Sequence, residues 1–102
     1  MRLLVLFDLP VKTKRDRRAY ARFHKFLIRN GYDMIQYSVY ARICNSPEAL
    51  ETQVLKLKAN KPPAGSVRYM RVTEKQFTSM EVLVGAKKIK EDTKFAKQLT
   101  FF

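Results

Sequence analysis

The chain has 102 residues, one cysteine and one histidine, and its 21 Lys plus Arg against 9 Asp plus Glu give a formal charge of +12 and a pI near 10.1. One domain fits that length and a separate catalytic module does not, while a lone Cys44 excludes an internal disulfide and, beside the single His24, a zinc site. The charge predicts a polyanionic partner, nucleic acid ahead of a membrane, since the apolar segments are too short to span a bilayer.

The first predicted element is a strand over residues 2–8, where Leu3-Leu4-Val5-Leu6-Phe7 closes on Asp8 and Leu9-Pro10 stops it. A continuous apolar run reads as a central strand covered on both faces, and the position past its end is where such folds place chemistry. Asp8 is therefore the first candidate site residue, although an Asp before a proline also serves as a plain turn residue or cap. No signal-peptide pattern precedes it, so the expected compartment is the cytoplasm.

Thr13 is placed to cap a helix that runs to about Asn30 and stops at Gly31. Ala19, Tyr20, Phe23, Phe26 and Leu27 give it an apolar face, and Arg15, Arg18, Arg22, Lys25 and Arg29 recur at steps of three and four. At 1.5 Å per residue this stripe spans roughly 21 Å, enough to follow several phosphates of a duplex. A solvated helix face is the alternative. Only Asp16 lies in the helix to compensate the cations, which favours a polyanion. His24 follows Phe23 directly, and exposure is the expectation for it.

Residues 32–44 alternate between two sets, Ile35, Tyr37, Val39, Ala41 and Ile43 against Met34, Gln36, Ser38, Tyr40 and Arg42. This is either one long bent strand or a hairpin turning near Gln36 to Ser38. Cys44 reads as a small apolar filler at its end. Ser46 then caps a second helix with Pro47 at its first position and Leu50, Val54 and Leu57 as its apolar face. Pro62-Pro63 and Gly65 end it, and a strand at Val67 to Val72 follows. Thr73-Glu74-Lys75-Gln76 is a capping box opening a helical turn through Phe77, and Met80 to Val84 reads as a further strand.

The order implies an α+β, ferredoxin-like (βαββαβ) single domain with an added C-terminal strand. Residues 1–85 form the expected core. Residues 86–102 read as a charged linker ending in Leu99-Thr100-Phe101-Phe102, apolar enough to require burial. That tail either completes the sheet edge of a partner protomer or docks on its own domain.

Taken together, the chain resembles the small CRISPR-associated adaptation subunit, the Cas-two family, often labelled an endoribonuclease. The resemblance rests on Phe7-Asp8 at the end of the first strand, the Gly31 turn, the run Ile35-Gln36-Tyr37-Ser38-Val39-Tyr40, and Val72-Thr73-Glu74-Lys75-Gln76-Phe77, which is similar to a segment of the type II systems. It covers nearly the whole length.

The resemblance implies a homodimer that bridges copies of the CRISPR integrase subunit and holds the duplex DNA of a new spacer. It makes Asp8 the metal-site residue, with one Mg²⁺ or Mn²⁺ shared with Asp8 of the second protomer across the dimer axis. Gln36, Ser38 and Tyr40 are the signature positions, and Phe101 and Phe102 the expected dimer contacts. Many members carry Arg before the Ile-Gln pair, where this chain has Met34. Two functions of different class follow, a scaffold that binds duplex backbone through Arg15, Arg18, Arg22, Lys25 and Arg29, and a metal-dependent endonuclease of single-stranded RNA or duplex DNA acting through paired Asp8. One carboxylate with no evident general base favours the scaffold.

Overall fold

The computed structural model describes residues 1–85. Strand β1 (Arg2–Asp8) leads to helix α1 (Lys14–Arg29), strands β2 (Asp33–Gln36) and β3 (Val39–Ile43), helix α2 (Pro47–Ala59), strand β4 (Ser66–Val72) and the short helix α3 (Glu74–Thr78). The sheet has the order β2-β3-β1-β4 and all its pairings are antiparallel. This is the expected ferredoxin-like arrangement, with β1 central. The added C-terminal strand, Phe101 and Phe102 lie outside the described residues.

Local chemistry explains the ends of each element. The Thr13 hydroxyl accepts from the Asp16 amide at 3.0 Å and the Asp16 carboxylate accepts from the Thr13 amide at 3.2 Å, closing a capping box at the start of α1. Gly31, at φ 83°, turns the chain after Asn30. Ser46 caps α2 by accepting from the Ala49 amide, and Thr73 with Gln76 closes a second capping box on α3. Residues 32–44 form a hairpin, with Gln36 opposite Val39 and Tyr37-Ser38 as its two-residue loop.

The alternation in β1 divides the core. Leu3, Val5 and Phe7 face α1 and α2 and pack with Phe23, Leu27, Tyr40, Leu50, Val54 and Leu57. Leu4 and Leu6 face the other side, where Ala41, Ile35, Val72 and Phe77 of α3 cover them. Arg2, 3 % exposed, sits 3.9 Å above the Phe77 ring and donates from Nε to the Glu74 carboxylate at 2.9 Å. Buried Cys44 is the filler expected of it.

One expected element is absent among the described residues. Met80 to Val84 is not a strand, and Leu83 and Val84 stand 94 % and 93 % exposed. An apolar run becomes a strand only where a neighbour supplies its hydrogen bonds, and α3 carries the chain off the sheet before such a neighbour is reached.

Candidate nucleic-acid interface

The cations of α1 come first because the helix phase sets them. Its core-facing residues Phe23 and Leu27 are buried, which turns Arg15, Arg18, Arg22, Lys25 and Arg29 outward, and all five are exposed. Three of the acids are engaged elsewhere: Asp16 in its capping box, Glu51 with Arg71 at 2.8 Å, and Glu74 with Arg2. No ion pair to any of the five occurs among the described residues. Five unneutralised cations on one rigid surface form a footprint for phosphates, each able to displace a condensed counterion.

Arg17 is a further exposed cation of α1, outside the expected stripe. Its Nη1 donates to the carbonyls of Val11 and Lys12 at 3.1 and 3.2 Å, which fixes the guanidinium beside the first turn while leaving it exposed. The signal was its spacing of three before Tyr20, outside the three-and-four register of the stripe.

Asp8 lies at the solvent end of β1, exposed and opposite Ser66 of β4. The backbone around it is held on both sides. The Phe7 amide donates to the Ser38 carbonyl at 3.0 Å, tying the hairpin loop to the end of β1. On the other flank Gly65, at φ 92°, leaves no space for a side chain: a Cβ there would stand 2.6 Å from the Asp8 carbonyl oxygen and 2.8 Å from the Leu9 side chain. Gly65 thus sets the path of the chain past Asp8, a constraint not visible in Pro-Pro-Ala-Gly as a string.

Gly65→Ala is accordingly expected to destabilise the fold by about 1–3 kcal/mol, through left-handed backbone strain and displacement of the Asp8–Leu9 backbone. Chemical denaturation checks the magnitude, and amide shifts concentrated at residues 8, 9 and 66 check the location.

The signature positions separate by role. Gln36 is exposed at the end of β2 and Ser38, at φ 66°, forms the turn, so both lie at the Asp8 end of the sheet. Tyr40 is a core residue, 1 % exposed, stacked on Phe7 at 5.5 Å. Its hydroxyl is 2.6 Å from His24 Nδ1. Burial raises the Tyr40 phenol above its usual range, so it is a neutral hydrogen-bonding partner at ordinary pH. His24 is half-buried against it, not exposed as expected, because the phenol of β3 reaches up to the helix.

A Mg²⁺ ion takes hard oxygen ligands, commonly one or two carboxylates with the rest water. No group of three or more His, Cys, Asp or Glu that could hold an ion occurs among the described residues. The solvent-facing Asp8 carboxylate fits such an ion as one ligand, and the same residue of a second protomer would make two.

Comparison with known proteins places this geometry. A family model described as CRISPR associated protein Cas2 matches residues 1–80. The chain is 53 % identical over 102 residues, all of both chains, to a protein named CRISPR-associated endoribonuclease Cas2 from Acidovorax ebreus (strain TPSY). It is 47 % identical over 88 residues, 86 % of this chain and 87 % of the other, to a protein of the same name from Lacticaseibacillus rhamnosus. Among solved structures, that of Streptococcus pyogenes Cas2 at pH 6.5 superposes with a TM-score of 0.64 over 82 % of this chain and all of that one, at 20 % identity, and supports the fold. The family model over residues 1–80 and relatives 53 % and 47 % identical over most or all of the chain show that the chain belongs to the Cas2 family.

Proposed function

We propose that the protein acts in spacer acquisition as a homodimeric scaffold that grips duplex DNA by its backbone and bridges integrase subunits. The observation that carries this reading is the outward row of five cations on α1, unneutralised among the described residues. A rigid helix presenting a long row of cations suits a run of phosphates, so the binding is sequence-independent. Dimerisation has support of its own. Strand β4 is hydrogen-bonded along one edge only among the described residues, and Ile43, Met70, Leu83 and Val84 expose apolar surface that a second copy would cover.

A second reading draws on the relatives, whose printed name is endoribonuclease. Asp8 of both protomers would hold one Mg²⁺ or Mn²⁺, which when bound supplies charge neutralisation at a phosphate and an activated water. The residues around Asp8 contribute positioning: the Ser38 carbonyl and Gly65 hold the strand end in place. Among the described residues, none beside Asp8 presents a general base. For that reason the scaffold is the principal function and cleavage the secondary one.

The test is duplex binding by the wild-type protein across a salt series with two unrelated sequences. Equal affinities and a log–log salt slope of about −4 to −5 per bound helix face are expected if all five cations meet phosphates, at about −0.9 each. A slope near zero, or a strong preference for one sequence, overturns the reading.

A further inference from the structure

The aromatic residues at the hairpin end of the fold form a connected stack that reaches the surface at one ring. Phe7 meets Phe23 edge-on at 5.1 Å and Tyr20 at 5.9 Å, and Tyr20 lies nearly parallel to Tyr37, 18° between planes and 5.8 Å between centroids. Tyr37 is 71 % exposed. A tyrosine at a loop tip ordinarily samples several rotamers, but this one is backed by a helix residue that is itself seated on the core.

The loop beneath is held as well. Ser38 adopts φ 66°, the left-handed region that a residue with a side chain rarely enters, and its carbonyl accepts from the Phe7 amide. Burial pushes the Tyr20 phenol up to about 12, so Tyr20 stays neutral at ordinary pH. The outcome is a pre-positioned aromatic face in water, which folding alone does not require.

Charge leads to it. Lys14, Arg17 and Tyr20 follow at steps of three and so form one row along α1. Arg17 is fixed through Nη1 alone, which leaves its other N–H groups directed to no partner among the described residues. At about 100° per residue Arg17 stands about 60° round the helix from Tyr20, and Lys14 continues the row toward the five-cation stripe.

We propose that Tyr37 is a stacking platform for an unpaired nucleobase of a single-stranded nucleic acid, with Arg17 and Lys14 receiving the adjoining phosphates. A base inside a duplex has both faces covered by its neighbours, so the platform selects single strands, and any base offers it a π face. The proposal rests on the polyanion-binding reading above and adds to it a ring at the hairpin tip, next to the end of β1 that carries Asp8.

The experiment measures fluorescence-anisotropy affinities for labelled U12, dT12 and a blunt 20-bp duplex at one fixed salt, using wild type, Tyr37→Ala and Tyr37→Phe, with sedimentation of each protein alone. Tyr37→Ala is expected to weaken single-strand binding about tenfold and duplex binding less than twofold, and Tyr37→Phe to keep wild-type affinity on both. Loss on U12 only assigns the site to RNA, and equal loss on U12 and dT12 assigns it to the base irrespective of sugar. Unchanged single-strand binding, or an equal loss on the duplex, overturns the platform. So does a shift of Tyr37→Ala to a smaller sedimenting species, which would make the ring a contact between copies. Wild-type protein that binds neither single strand nor duplex overturns the polyanion reading itself.

Discussion

The double substitution Arg18→Ala with Arg22→Ala is expected to weaken duplex binding roughly tenfold to a hundredfold at low salt and to make the salt slope shallower by about 2, the value of two phosphates. Both side chains are exposed on α1 and make no ion pair among the described residues, so their loss leaves no buried group unsatisfied. Stability should stay within about 0.5 kcal/mol of wild type, and Ala is the better helix former in any case. The affinity loss should be even across sequences, because the cations meet backbone and not base edges. Filter binding or anisotropy over a salt series reads both quantities. An unchanged slope removes these two arginines from the interface.

The second large effect is expected at Asp8. Asp8→Ala should reduce any Mg²⁺- or Mn²⁺-dependent cleavage of RNA or DNA to background, since the substitution removes the carboxylate each protomer would contribute to a shared ion. Its structural cost should be small. The side chain is exposed, the ladder to Ser66 is a backbone feature, and in a dimer two facing carboxylates repel when no ion lies between them. Thermal unfolding and duplex affinity should therefore match wild type while cleavage vanishes. Cleavage that survives in the purified variant places the activity away from Asp8.

Much of this architecture is legible in the residues because its signals are local. The Thr13 and Thr73 caps, Gly31 after α1 and Pro47 at the start of α2 each fix one boundary through groups three or four residues apart. The apolar run of β1 identifies the central strand, and with it the place of Asp8. Features that depend on distant partners are not legible. Met80 to Val84 carries a strand pattern, yet a strand is a property of a pair, and no partner for this segment occurs among the described residues. His24 reads as exposed until Tyr40, sixteen residues on, is brought against it.

The site divides in the same way. The five cations are a helical period and can be counted from the string, whereas Tyr37 belongs by alternation with Ile35 and Val39 on one strand face. A register shift between Met34 and Gln36 breaks that alternation within β2, so Ile35 packs on the layer of Leu4 and Phe77 while the Tyr37 ring lies on Tyr20 on the helix side. Gly65 is another such case. Its requirement comes from the Asp8 carbonyl, which lies far from it in sequence and next to it in the sheet.

Reconstituted spacer integration with the integrase subunit distinguishes a scaffold from a catalyst most directly, with Asp8→Ala and the Arg18→Ala, Arg22→Ala variant measured side by side. A scaffold that works by holding duplex backbone predicts wild-type integration from Asp8→Ala and a severe loss from the arginine variant, restored in part at lower salt. Loss of integration in Asp8→Ala with its duplex binding intact, or full integration by the arginine variant, contradicts it.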